Sequence, residues 1–254
     1  MRKFLDILMW VFLAASIVAS LVFVNYSKKQ LINNNIEVKI KNTDKFSFVN
    51  ELEIKELINS KNKNPLEIEN LINNHPSIEL SQVYKTIKGD LVVEVMQREP
   101  IARIFAQKES YYIDDKGKIM PLSPNYTAHV PVVTGNIKET YSKFYKLDLD
   151  DLQNDSIKDK MILDDIYSLM HYVHQNPFWK SQIEQVFVNK DLEIELIPKV
   201  GNHRIVFGEV QYIDKKFNKL LLFYKKGLSK TGWNEYATIN LKFNNQVVCT
   251  KIYN

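Results

Sequence analysis

The run IELSQVYKTIKGDLVVEVMQ, residues 78–97, holds two β-favouring stretches, Ile78–Ile87 and Leu91–Gln97. Lys88-Gly89-Asp90 between them is a turn tripeptide, so the run reads as two strands joined in a hairpin. Just upstream, Ile68, Leu71 and Ile72 fall at i, i+3, i+4 behind Pro65. Proline suits a first helical turn, where its missing N–H is not needed, and His75-Pro76 ends the helix. Asn50-Glu51 opens an earlier helix with Leu52, Leu57 and Ile58 apolar, and the polar stretch 62–64 breaks it. Before that, Ile36, Val38 and Ile40 alternate with Glu37, Lys39 and Lys41, the pattern of a half-buried strand. Strand, helix, helix, strand, strand lets two helices cover one face of a three-stranded sheet, an α+β module.

Further out lies an uncharged run, Ile7 to Val24, flanked by Arg2 and Lys3 before and Lys28 and Lys29 after. About 18 apolar residues at ~1.5 Å rise are just enough for a hydrocarbon core of ~30 Å. The expectation is a transmembrane helix at 7–24, a short tail at 1–6 and a polar linker at 25–35. Val18-Ala19-Ser20 offers a signal peptidase small residues. The apolar run continues past it through Val24, longer than the ~7–15 residues of a secretory segment, so a retained anchor is expected. Basic flanks tie in number, so charge does not orient it.

Downstream the pattern becomes β-rich. Ser110–Ile113 and Lys118–Pro121 flank Asp114-Asp115-Lys116-Gly117, a hairpin signal with glycine at the tight position. Val130–Val133 reads as a short strand. A long helix is expected from about Asn154 to His174, with Ile157, Met161, Ile162, Ile166, Leu169, Met170 and Val173 on one face, stopped by Asn176-Pro177. Strands follow near Ile183–Val188, Leu192–Pro198 and Arg204–Phe207. A helix over Tyr212–Lys226 buries Phe217, Leu220, Leu221 and Tyr224 and is expected to cap at Gly227. Ala237–Phe243 and Gln246–Ile252 close the chain as strands around Asn244-Asn245.

The net charge of +4 is spread among 30 acidic residues. A nucleic-acid binder would cluster its basic residues on one face, and only short pairs such as Lys215-Lys216 and Lys225-Lys226 occur. The sole cysteine, Cys249, leaves no internal disulfide and reads as a small buried hydrophobe. Gly227 to Gly232 lacks the Lys-Ser or Lys-Thr of a phosphate loop and follows a helix where such a loop opens one. His171 and His174 share a helix face, but a zinc site needs three or four ligands. Asp114-Asp115 belongs to a turn and Asp164-Asp165 to a helix exterior. With no nucleophile elbow and no dinucleotide fingerprint, the residues ask for no enzyme and no cofactor.

Val95-Met-Gln-Arg-Glu-Pro-Ile-Ala-Arg103 resembles the V-x-x-R-x-P-[VI]-A-x segment of the bacterial FtsQ (DivIB) cell-division family. Tyr111–Ile119 is similar to that family's Y-x-(V/I)-D-x-x-G hairpin, and Val130–Gly135 to its P-x-(I/L/V)-x-G strand end. Arg204–Gly208, Lys216–Leu220 and the closing stretch Tyr236–Val248 follow in family order. Asn42-Thr43-Asp44 stands where many members place a glycine, so no partner contact is carried over there.

The resemblance implies a POTRA-like βααββ domain at 36–103, then a mixed β domain with flanking helices at 104–254. It also implies a body outside the inner membrane, at the septum. The implied role is a non-enzymatic hub that binds FtsB- and FtsL-like proteins and helps regulate septal peptidoglycan synthesis. In the family the last strand is the docking edge, which maps to Val247, Val248, Cys249, Thr250 and Lys251. Lys242 and Phe243 stand where relatives carry a basic residue and an aromatic. From the residues alone, Phe243 is equally a core side chain and Lys242 equally a solvated one. Competing classes are a POTRA-type chaperone module, an anchored wall enzyme, and a binding module released after Ser20.

Overall fold

The structure, a computed structural model, describes residues 2–30, 35–43, 47–59, 64–145 and 161–252. It divides into two compact units, one of residues 1–43 and 49–96, the other of residues 44–48 and 97–254.

The first unit opens with helix α1 (Arg2–Gln30), which runs on through residues expected as linker. Among the described residues no helix is long and apolar enough to cross a membrane. This corrects the expected transmembrane helix.

Strand β1 (Ile36–Lys41), helices α2 (Glu51–Asn59) and α3 (Pro65–Asn73), and strands β2 (Ile78–Lys85) and β3 (Leu91–Gln97) follow. The strand order is β1-β3-β2, with β1 parallel to β3 and Val38 opposite Val93. Asn64 caps α3: its Oδ1 accepts from the Glu67 N–H at 2.9 Å while its Nδ2 donates to the Glu67 carboxylate at 3.1 Å. The first of these bonds satisfies one of the amides that a helix start leaves orphaned. α2 packs on β1 and α3 on β2. The buried face of α2 is Ile54 and Ile58, whereas Leu52 is exposed. Leu52 satisfies the apolar count but lies off the i, i+4 line that meets the sheet.

Among the described residues the second unit carries nine strands. β4 (Pro100–Phe105), β5 (Ser110–Asp114), β6 (Ile119–Met120) and β7 (Val132–Gly135) precede the short helix α4 (Tyr141–Phe144). Helices α5 (Ile162–Gln175) and α6 (Pro177–Gln182) lead into β8 (Ile183–Val188), β9 (Ile194–Pro198) and β10 (Arg204–Gly208). Then come α7 (Ile213–Phe223), a π-helical turn Tyr224–Leu228, α8 (Ser229–Thr231), β11 (Tyr236–Asn240) and β12 (Val248–Lys251). The sheet order is β12-β11-β10-β9-β8-β7-β4-β5-β6.

Pairing registers align one row across this sheet: Ile104, Val133, Val186, Leu196, Ile205, Ile239 and, at the end, Cys249. All but Cys249 are fully buried, in one core with Leu163, Ile166 and Met170 of α5, Trp179 of α6 and Phe217 and Leu220 of α7. The next rows face away. One is Arg103, Val132, Gln185, Ile197, Arg204, Thr238 and Thr250, which follows from the same registers because side chains alternate faces along a strand.

Three further expectations are revised. The long helix begins at Ile162, with 154–160 outside the described residues. Asn176-Pro177 ends α5 and also starts α6, because Asn176 Oδ1 accepts from the N–H groups of Phe178 and Trp179. Gly227 is not a helix end. The chain passes through it as a π turn, with the Phe223 ring where a Cβ would sit, and the positive-φ stop is Gly232 (φ 101°).

Candidate functional site

The C-terminal ribbon forms the site. β11 runs parallel to β10, with Ile205 opposite Ile239. β12 returns antiparallel, with Cys249 opposite Ile239 and Val248 opposite Asn240. β12 is the last strand in the sheet, with no strand on its outer side among the described residues.

Two hydrogen bonds fix which backbone groups face that rim. The Leu241 N–H donates to the Val206 carbonyl at 2.9 Å, so alternate residues Ile239 and Leu241 turn their peptide groups to β10. Thr238 and Asn240 therefore serve β12. The Ile252 N–H donates to the Glu235 carbonyl at 3.1 Å, so Val248, Thr250 and Ile252 face β11. The N–H and C=O groups of Cys249 and Lys251 point outward by alternation. On the perpendicular axis, the side chains of Val247 and Cys249 pack partly on the core, whereas Val248 is exposed. Burial pushes the Cys249 thiol up.

The sequence-expected residues are thus not all in one element. Val248, Cys249, Thr250 and Lys251 make β12, and Val247 directly precedes it. Lys242 and Phe243 lie in the connection, because β11 ends at Asn240 rather than Phe243. Leu241 is buried but Phe243 is exposed. The Lys242 N–H donates to Asn240 Oδ1 at 2.9 Å. Its ammonium pairs with the Glu193 carboxylate, which holds Lys242 above the ordinary lysine range.

Two lysines of α7 that the sequence reading left out of the site brace this region. Lys219 Nζ donates to the carbonyls of Leu241, at 3.0 Å, and Phe243. Lys216 Nζ donates to those of Phe207 and Glu209, at 2.8 and 2.7 Å. Burial, with Lys219 nearby, pulls Lys216 below the usual lysine range. Together with Tyr212, Lys215, Leu241, Asn244 and Asn245 they line a cleft of about 370 Å³. Their i, i+3 spacing, which puts both on one helix face, was the signal available in the sequence.

Elsewhere, His171 Nδ1 lies 3.2 Å from the Asp115 carbonyl and His174 lies 3.5 Å from Glu99. Among the described residues no three metal-ligating side chains come together. Asp114, fully buried, accepts from Arg98 at 2.8 Å and from the N–H groups of Lys116 and Lys118. Its carboxylate organises its own hairpin turn.

The chain is α+β, and its larger sheet ends in β12, with no strand beyond it among the described residues. The chain is a member of the FtsQ/DivIB family: the profile described as "FtsQ/DivIB, C-terminal related" matches residues 99–250. It is also similar to the cell division protein FtsQ of Geotalea daltonii (strain DSM 22248 / JCM 15807 / FRC-32), 21% identical over 183 residues, 71% of this chain. The match covers 61% of that relative's length. Family membership bears out the resemblance first read at Val95–Arg103.

Proposed function

We propose that this chain is a cell-division protein that works as a non-enzymatic scaffold at the septal membrane. It receives a strand of an FtsB- or FtsL-like partner along β12 and so helps regulate septal peptidoglycan synthesis. The observation that carries this reading is the position of β12 at the end of the sheet, with Cys249 closing a fully buried row. A sheet rim with outward peptide groups is a template for a further strand. Main-chain bonds supply affinity, and the alternating pockets choose the partner. A residue set opposite Cys249 would extend the buried row, so an apolar side chain belongs there.

Family membership supports the division role, as does the name of the Geotalea relative. Under this reading Phe243, exposed beside the strand, offers an aromatic contact. Lys242 shares its ammonium between Glu193 and a partner carboxylate. The test is capture from cells of the full chain and of a chain lacking 246–254. Co-purification of FtsB-like protein is expected with the first and lost with the second. Equal capture by both removes the docking strand.

A further inference from the structure

We infer that a second cleft of the larger unit, over Arg103, is a binding site for a carboxylate carried on a protein partner. The cleft measures about 440 Å³ and lies between the 127–132 segment and the α6–β8 junction. Arg103 projects from β4 onto the sheet face opposite the buried Ile104 row, in the row with Val132 and Gln185. Its backbone N–H donates to the Pro131 carbonyl at 3.0 Å. Tyr112 OH accepts from the Ala128 N–H at 3.2 Å. These two bonds hold the 127–131 wall beside the arginine.

The guanidinium is preset. Its carbon lies 4.9 Å from the Phe105 ring centre and 5.7 Å from that of Tyr112, within cation–π reach of both rings. Its Nε–H is buried with no hydrogen-bond partner among the described residues. A buried donor left unmatched is costly, and such groups ask for an acceptor. Rings satisfy the charge of a guanidinium, but its planar donors match the two oxygens of a carboxylate.

The rest of the lining matches that occupant. Lys180, Lys199 and His129 stand around the opening. Lys180 is only loosely engaged, 3.7 Å from Glu99. Val130, Val132 and Ile183 give the cleft an apolar wall, suited to the stem of an acidic side chain. Glu184 also lines the cleft and continues, with Val132, into an adjoining hollow against Phe105, Thr134 and Gln185. One carboxylate in the lining tolerates a single incoming negative charge better than the double charge of a phosphate. A short apolar-and-acidic segment of a protein therefore fits better than a phosphate-bearing surface. The site lies on different strands from β12 and stands independently of the strand-addition reading.

The chain has four arginines, Arg2, Arg98, Arg103 and Arg204, so side-chain ¹⁵N labelling of arginine in the full chain yields four Nε signals to follow. The probes are glutamate capped at both ends as N-acetyl amide, the corresponding capped glutamine, and inorganic phosphate, all at fixed ionic strength. The Arg103 signal is expected to move saturably with capped glutamate, with a midpoint on the order of millimolar for so small a ligand, and not with capped glutamine. Lys199→Gln, at an exposed position, is expected to raise that midpoint several-fold without moving the Arg98 or Arg204 signals. No saturable movement, an equal response to glutamine, tighter binding of phosphate, or an unchanged midpoint in Lys199→Gln each overturns the proposal.

Discussion

Cys249 stands opposite Ile239 in the last strand pair, and the two differ sharply in cover: Ile239 is fully buried while Cys249 is only partly so. One sulfur thus forms the outer end of a row that is otherwise closed. The thiolate is the nucleophile in alkylation, and burial holds this thiol above its ordinary range. Alkylation of Cys249 at pH 8 should therefore run slower than that of a free cysteine peptide. Addition of a partner strand should slow it further, and Cys249→Asp should weaken capture at least about tenfold, some 1.4 kcal/mol, by placing charge at the row's end. Alkylation at the free-peptide rate would mean that this edge does not cover the sulfur at all.

Gly135 ends β7 at φ 115°, where a Cβ would stand 2.0 Å from the Val188 carbonyl oxygen. That atom is backbone of the neighbouring parallel strand, paired in register with Gly135, and cannot swing away. Gly135→Ala therefore forces the β7–β8 pairing apart in addition to the cost of positive φ. Chemical denaturation should register a loss above about 2 kcal/mol, large for a single methyl. A loss within about 0.5 kcal/mol would contradict the close approach.

His203 is buried, with Nε2 3.1 Å from the Tyr224 hydroxyl. Burial holds its imidazole below the ordinary histidine range, against the smaller opposing effect of the Trp233 backbone. The unfolded chain therefore takes up a proton before the folded one does. The stabilising effect is complete above the unfolded value of about 6.5 and is lost as pH falls through the lower folded value. Thermal melts between pH 7.5 and 5 should show the wild-type chain losing stability faster on acidification than His203→Gln. The difference should not exceed about 1.4 kcal/mol per pH unit, one proton's worth. Parallel slopes would place the imidazole in contact with water.

Local signals were legible where a few neighbouring residues settle the backbone. Asp114 to Gly117 reads as a turn because Gly117 supplies positive φ, here 75°, and Asp114 accepts the amides of Lys116 and Lys118. Pro65 announces a helix start for the same short-range reason. The reading failed where one residue serves two elements. Asn176 finishes α5 and caps α6, and the sequence pattern registers only the break. It failed again at Gly227, where packing of Phe223 and Tyr224 carries the helix through a residue that usually ends one. In the candidate site, the β12 residues could be named from family resemblance, whereas the i, i+3 spacing of Lys216 and Lys219 puts them on one face of α7 without saying which carbonyls that face meets.

Alternation and turn chemistry, which depend on residues two to four apart, determined from the sequence alone that this is an α+β chain with a strand–helix–helix–strand–strand module and a closing ribbon. Only the tertiary structure decided that six strands line up Ile104, Val133, Val186, Leu196, Ile205 and Ile239 behind Cys249. It alone brought Arg103 under the wall held by Tyr112. Strand order and register arise from contacts between residues far apart in the chain. Those contacts are selected by how whole faces bury together, and no local spacing encodes them.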